Sequence, residues 1–412
     1  MDAAAQAIEA TWRTHRFALV SALAARFRDL DLAEEALADA VAAAGEAWKD
    51  AVPERPEAWL YRTAQRKCLD RLRRHATANR KAEAVSLDRE LHADPGADAL
   101  PEARLGLFFH CAHPALAPGA QTALMLYHVA GLSTARIARA FLTHEATIQQ
   151  RLKRARDKLK ANAVSFEPPR CEDWPARLPP ILSAVEIVYD QSYGDIGGGV
   201  EAEALGRDAL QLAWTLASLL PQEAEVLALN AMLQLCESRR PARTRADGRL
   251  IPLSRQDPHH WDRKSLARAA KFMSAAADTL ATSVLPAGAY TIRARIHATH
   301  GASIASGRPM HAELVDLHDA LMAVAPSPVM AINRALALAD RDGPRAGIAA
   351  LEAVEADRDL SGFAPWHLAR AELHQRLGEH GPARLHLTAA RQLVPGTLER
   401  AFIGEKIALL EG

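Results

Sequence analysis

Cysteine is scarce in this chain of 412 residues: Cys68, Cys111, Cys171 and Cys236 stand far apart, and no two form a CxxC pair. That excludes a disulfide framework and a paired-thiol zinc site, and predicts reduced, mostly buried thiols. His110 and His113 flank Cys111, but no second half of a ligand set accompanies them and Pro114 follows directly. The expectation there is local packing, with no metal and no cofactor. Long apolar runs are also missing. No stretch reaches the ~18 residues that a membrane span requires, and MDAAAQAIEATWRTHR lacks the cationic start and apolar core of an export signal. A cytoplasmic chain with no membrane partner is expected. Net charge is absent too, with 50 Lys and Arg against 50 Asp and Glu. What remains is 49 % hydrophobic, enough for two or three domains with cores of their own.

The charge is segregated. Residues 1–165 hold 24 Lys and Arg against 20 Asp and Glu, about +4, leaving 26 against 30, about −4, for the rest. So small a surplus predicts weak DNA affinity for the free chain, because the electrostatic term scales with the phosphates neutralised. The cations nevertheless concentrate in two places. In LSTARIARAFLTHEATIQQRLKRARDKLK (132–160), Ile137, Ala138, Phe141, Leu142, Ile148, Leu152, Ala155 and Leu159 recur at helical spacing on both sides of Thr143-His144. This is the pattern of a helix-turn-helix. Thr143 is the expected N-cap of the second helix, with Glu145 at its positive end. The outer face of that helix shows Gln149, Gln150, Arg151, Lys153, Arg154, Arg156 and Lys158. Glutamine and arginine can pair with base edges, while lysine neutralises phosphate. The bland alternative is a solvated basic face on an ordinary helical hairpin.

The second place is EAWLYRTAQRKCLDRLRR (57–74), an amphipathic helix. Trp59, Leu60, Thr63, Ala64, Cys68, Leu69 and Leu72 face inward there, and Arg62, Arg66, Lys67, Arg71, Arg73 and Arg74 face outward. Just upstream, RDLDLAEEALADAVAAAGEAW (28–48) is alanine-rich and carries Asp29, Asp31, Glu34, Glu35 and Asp39. An acidic helix beside a basic one suggests two different partners.

An acidic helix, a loop, a basic helix, a polar linker and a basic helix-turn-helix, in that order, resemble a bacterial RNA polymerase sigma factor of the extracytoplasmic-function group. The resemblance runs from about Trp12 to Phe166. DLAEEALADA looks like the part of sigma domain 2 that docks on core polymerase, PEAWLYRTAQRKCLDRLRR like the helix at the −10 element, and LSTARIARAFLTHEATIQQRLKRARDKL like the −35 reader of domain 4. Within that group the chain resembles the subfamily with a tetratricopeptide-like C-terminal extension, on FFHCAHPALAP, LLPQEAEVLALNAMLQL, RRPARTRADGRLIPLSRQDPHHWDR and PSPVMAINRALALAD. There are departures. Val41 replaces the usual aromatic of the acidic helix, Ala112 stands where a second cysteine is common, and VYDQSYGDIGGG differs from the usual phrase.

The resemblance implies an all-α fold: sigma domain 2 over 8–75, a flexible linker over 76–101, a helix-turn-helix domain 4 over 102–165, and a tetratricopeptide-like extension over 170–412. Its expected partners are core RNA polymerase, promoter DNA and a regulatory protein bound by the extension. Arg62, Arg66, Lys67, Arg71 and Arg74 are the expected −10 contacts, and Gln149, Gln150, Arg151, Lys153 and Arg154 the −35 contacts. Asp29, Asp31, Glu34, Glu35 and Asp39 are the expected docking residues. Such a protein performs no chemistry itself. The alternative is a helical adaptor that binds protein partners and does not transcribe.

Three smaller segments carry their own expectations. In the linker, the resemblance gives Asp88, Glu90, Asp94 and Asp98 the role of mimicking nascent RNA, against a plain solvated tether. KDAVPERP (49–56) lies where a flipped −10 base is captured, and its flanking Trp48 and Trp59 read first as core anchors. RRPARTRADGRLIPLSRQDPHHWDR (239–263) has a turn at Asp247-Gly248 between extended runs and predicts a β-hairpin-like insertion, with Gln256, Asp257 and Trp261 hydrogen-bonded locally. An acid-base role for His260 with Asp257 or Asp262 lacks a nucleophile, a phosphate loop and a metal set. Near the C-terminus, Ala371, Gly378, Ala383, Leu387, Ala390 and Pro395 fit the small and large positions of one tetratricopeptide repeat, a scaffold that binds partners on a concave face.

Overall fold

The computed structural model describes residues 3–77, 99–141, 143–194, 199–245, 248–284, 286–355, 360–394 and 397–410. The linker's Asp88, Glu90, Asp94 and Asp98, and also Leu142, Asp247 and Pro395, lie outside them. Among the described residues every extended element is helical, apart from one isolated antiparallel bridge, Thr244 to Leu250. No described helix is long and apolar enough to cross a membrane. The chain divides into two compact units, Met1–Val188 and Tyr189–Gly412.

In the first unit, α1 (Ala3–Phe27), α2 (Leu30–Ala47) and α3 (Pro56–Thr77) pack on one another. Asp29 starts α2 by accepting a hydrogen bond from the Leu32 amide at 3.1 Å, which satisfies an otherwise orphaned donor. Leu30, Ala33, Ala36, Leu37, Ala40 and Ala44 then follow at three- and four-residue spacing and are all buried. The alanines are small enough for close helix approach and leave one long stripe for α1 and α3. Pro56 opens α3, where its fixed φ suits the first helical position. The buried face of α3 is Leu60, Tyr61, Ala64, Cys68 and Leu69, whereas Trp59, Thr63 and Leu72 are only half-buried. The core-facing stripe is thus rotated slightly from the one expected, because Tyr61 goes in. Trp48, only 2 % exposed, meets Trp59 edge to face at 5.5 Å between centroids, as core anchors do.

Next come α4 (Ala99–Cys111), α5 (Pro118–Leu124) with a π turn at Met125–Val129, α6 (Thr134–Ala140) and α7 (Glu145–Ala161). Phe17 of α1 and Phe108 of α4 meet edge to face at 5.0 Å, tying the two helix groups together. Ile137 and Ala138 are buried on α6, and Ile148, Leu152, Ala155 and Leu159 on α7, the stripe that the sequence spacing predicts. The cap is different. His144 is the N-cap of α7 and makes no side-chain bond, while the Thr143 amide donates to the Ala138 carbonyl at 3.0 Å. Thr143 is therefore spent on closing α6 and does not cap α7. His110, Cys111 and His113 engage in packing. His110 Nδ1 lies 3.3 Å from the Ser165 carbonyl and its ring stacks on Phe166, Cys111 is buried, and His113 Nδ1 accepts from the Ala115 amide. Burial pushes the Cys68 thiol up to about 12 and depresses His110 to about 4.

The α8 helix (Trp174–Gly194) runs into the second unit. That unit continues with α9 (Gly199–Leu219), α10 (Ala224–Arg239), α11 (Arg263–Thr282), α12 (Ala289–Ser306), α13 (His311–Val324), α14 (Pro328–Asp342), α15 (Pro344–Glu355), α16 (Ala364–Arg376), α17 (His380–Leu393) and α18 (Thr397–Ala408). From α9 onward each helix packs on the next, except that α11 and α12 both pack on α10, which is buried almost all round. Small residues set the spacing. A Cβ on Gly347 would come within 2.6 Å of the Ala339 Cβ, so α14 and α15 touch where no side chain fits. Ala371, Ala383, Leu387 and Ala390 are buried, and Gly378 has a φ of +74° after α16. Between α10 and α11 the Arg245 amide donates to the Arg249 carbonyl and the Ile251 amide to the Arg243 carbonyl, the hairpin-like pairing expected there. Gln256 and Asp257 hydrogen-bond locally. Trp261 does so through its backbone, its amide donating to the Pro258 carbonyl at 3.1 Å, while its buried indole nitrogen has no partner and its ring lies next to Gly301.

Candidate functional site

The basic side of α3 exposes Arg62, Arg66 and Arg74, with Lys67 half-buried. Arg74 Nε donates to the Asp70 carbonyl at 3.2 Å. Arg71, lower on the same face, turns onto α2, where it bonds Glu35 and reaches Asp39 Oδ2 at 2.8 Å. Those two carboxylates raise its pKa against the opposing effect of desolvation.

On α7, Gln149, Gln150, Lys153 and Arg154 are exposed along one side, opposite the buried stripe. Gln149 makes a long contact of 3.5 Å with Glu145, which also accepts from the Thr134 hydroxyl. Arg151 lies back, half-buried, with its guanidinium carbon 5.0 Å from the centre of the Phe141 ring. The last two turns of α7 face α2. Arg156 Nε is 3.1 Å from Asp31, and Lys160 Nζ is 2.8 Å from Asp29. Beside these pairs lies a cavity of about 480 Å³, lined by the first turn of α2 and the end of α7.

Each of the five acids expected to dock on core, Asp29, Asp31, Glu34, Glu35 and Asp39, therefore already has a cation. Glu34 is held most firmly: its Oε1 lies 2.9 Å from Arg16 Nη2 and 2.9 Å from His128 Nδ1, and Arg16 Nη1 donates to the His128 carbonyl at 2.9 Å. Burial alone would raise the Glu34 pKa, but the bond and charge of His128, with Arg16 and Arg156, outweigh it and bring the pKa below the usual carboxylate value. The other four acids are more exposed. Pairs of that kind contribute roughly 0–1 kcal/mol each and weaken with salt, so a large competing surface can displace them. The sequence gives no sign of Arg16 and His128, which are brought together from 112 positions apart.

Residues 11–77 match sigma-70 region 2, and residues 109–159 match sigma-70 region 4. These two regions mark the chain as an RNA polymerase sigma factor. In this sigma factor, residues 177–277 match a family of unknown function, DUF6596. An uncharacterized protein of Rhizobium meliloti (strain 1021) is 35 % identical over 394 residues, covering 93 % of this chain and 91 % of that protein. Its similarity extends through both compact units, so sigma regions and helical extension occur together in the relative. No solved structure matches. As a sigma factor the chain has core RNA polymerase and promoter DNA as partners; α2 and α3 lie in region 2, and α6 and α7 in region 4.

Proposed function

We propose that this sigma factor is of the extracytoplasmic-function kind, acts in the cytoplasm, and meets the −10 element with Arg62, Arg66, Lys67, Arg71 and Arg74 of α3. The −35 element is read by Gln149, Gln150, Arg151, Lys153 and Arg154 of α7. Core polymerase docks on Asp29, Asp31, Glu34, Glu35 and Asp39. The observation that carries this reading is the side of α7 where Gln149, Gln150, Lys153 and Arg154 all stand exposed over a buried apolar stripe. That is the presentation a recognition helix needs in the major groove. The helical extension is tetratricopeptide-like and modulates activity through a regulatory protein.

Docking carries one structural requirement. Because α7 supplies Lys160 and Arg156 to Asp29 and Asp31, core binding through those acids has to release the end of α7. Two exposed pairs oppose that by about 1 kcal/mol in total, a small barrier beside a large protein interface.

The same pairing favours a second reading, a helical adaptor whose acids serve internal cohesion. Run-off transcription from fragmented genomic DNA, with core polymerase and the full chain, separates the two. Discrete transcripts sharing two upstream elements support the sigma reading. Core binding without transcripts points to inhibition by the extension or a missing signal, and no core binding supports the adaptor.

A further inference from the structure

The second unit has an open cavity of about 660 Å³, within the size range of small-molecule sites. One wall comes from the end of α10 and the segment after it, which give it Arg239, Arg243 and Gln256, and other helices add His297 and His318. Arg239 is only 5 % exposed. Its Nε donates to the Leu235 carbonyl, and its Nη2 contacts Cys236 Sγ at 3.6 Å and His297 Nδ1 at 2.8 Å. Arg243 donates to the Tyr193 carbonyl, and its guanidinium carbon sits 3.7 Å from the centre of the Tyr193 ring. Among the described residues neither arginine has a carboxylate within ion-pair distance, whereas Arg376 across the cavity is matched by Asp340 and Glu372. A buried guanidinium without a counter-charge costs several kcal/mol, so this wall holds an uncompensated positive charge.

The neighbouring imidazoles add donors and acceptors, not charge. Burial, with the charges of Arg239 and Arg293, holds the His297 pKa well below its usual value; burial likewise lowers His300, and brings His318 to about 4. Neutral His297 accepts from Arg239 at Nδ1, which leaves its Nε2 carrying the proton. Two further groups are orphaned: His318 Nδ1 and Gln256 Oε1 are buried and bond to nothing, on side chains only 4 % and 8 % exposed. Ile251, Leu253, Ile296, Leu336 and Phe402 are the large apolar residues of a lining that also holds Asn333, Asp340, Glu372 and Arg376, the last paired with both acids. Unpaired cationic and polar groups in one lining with apolar side chains are complementary to an amphiphilic anion.

We propose that this cavity is a binding site for a small organic anion, with a carboxylate or phosphate held by Arg239 and Arg243 and an apolar body lying against Leu253, Leu336 and Phe402. The segment 239–263 then has a role as the wall that carries the anion contacts. This site is independent of how promoter recognition is read, and its test needs no transcription.

The full chain is titrated with benzoate, with inorganic phosphate and with uncharged benzamide at matched ionic strength, following thermal unfolding and the histidine side-chain NMR signals. Saturable stabilisation by one of the anions, with His297 and His318 signals moving and benzamide inactive, is the expected result, and which anion acts identifies the head group. In Arg243→Gln the affinity falls at least about tenfold, the loss of one charge-assisted bond. Arg239→Gln, whose fold is verified by circular dichroism, repeats the test at the buried residue. The proposal is overturned if neither anion saturates, if benzamide stabilises as much as benzoate, or if binding persists in Arg243→Gln with the histidine signals unmoved.

Discussion

On α3 the cation that turns to the acidic helix, Arg71, is held by Glu35 and Asp39 within sigma region 2, whereas on α7 Arg156 and Lys160 cross from region 4 to Asp31 and Asp29. The two basic helices look alike as charge patterns and differ in what their charges join. The α3 contact stays intact when the regions part; the α7 contacts exist only while they are together. The same helix divides by turns, with Gln149, Gln150, Lys153 and Arg154 open to solvent and the last two turns committed to α2. On the proposed reading, recognition and closure occupy different parts of one helix and can be mutated separately.

The largest effect should come from the exposed turns. Arg154→Ala or Gln149→Ala is expected to reduce run-off transcription from a promoter with a −35 element about ten- to a hundredfold, each base contact being worth ~1–3 kcal/mol, with core binding unchanged. A loss of core binding instead would mean that the two functions of α7 are not separable. Next is Glu34, the acid that neither basic helix owns outright. Glu34→Ala leaves Arg16 and buried His128 without their partner and should cost ~1–3 kcal/mol, lowering the melting temperature of the first unit. Since the folded-state pKa of Glu34 is depressed, its contribution is complete above the usual carboxylate pKa. It is lost as pH falls through the lower folded value, so Glu34→Gln should flatten the acid limb of a stability-versus-pH curve.

Removing the crossing contacts has a smaller effect. The double change Arg156→Ala and Lys160→Ala should release ~1 kcal/mol of closure and tighten core binding roughly fivefold, measured by anisotropy of labelled protein. Arg71→Ala frees Glu35 and Asp39 without parting the two regions and should tighten it less; equal tightening by both would erase the distinction between the two helices. The smallest change is expected from Asp29→Asn. Asparagine caps a helix about as well as aspartate, so α2 keeps its start while Lys160 loses its counter-charge. The stability change should be a few tenths of a kcal/mol, read from denaturant midpoints, and a larger loss would show that the pair matters more than the cap.

Much of this was legible because it is periodic. Ile148, Leu152, Ala155 and Leu159 on α7 are buried as their spacing predicts, since a helix has few ways to hide such a stripe. Capping was less legible. Thr143 is chemically suited to cap α7, but its amide closes α6 and His144 takes the position. The acids of α2 read correctly as a face, but nothing local announces that Arg16, His128, Arg156 and Lys160 converge on them. The cavity of the second unit was illegible for the same reason. Its polar residues come one or two from each of several helices, in stretches whose alanine content gives every face a similar appearance, and Arg239 looks in sequence like any helix-terminal cation.

Trp48 and Trp59 meet edge to face at 5.5 Å across the ends of the loop between α2 and α3. Two indoles so close couple their electronic transitions, so the loop carries its own chromophore. Its near-ultraviolet circular dichroism should contain an exciton component that Trp59→Phe removes. Any rearrangement of that loop on meeting DNA would then be visible without a label, as a change in optical activity at the place where a flipped base is expected to enter.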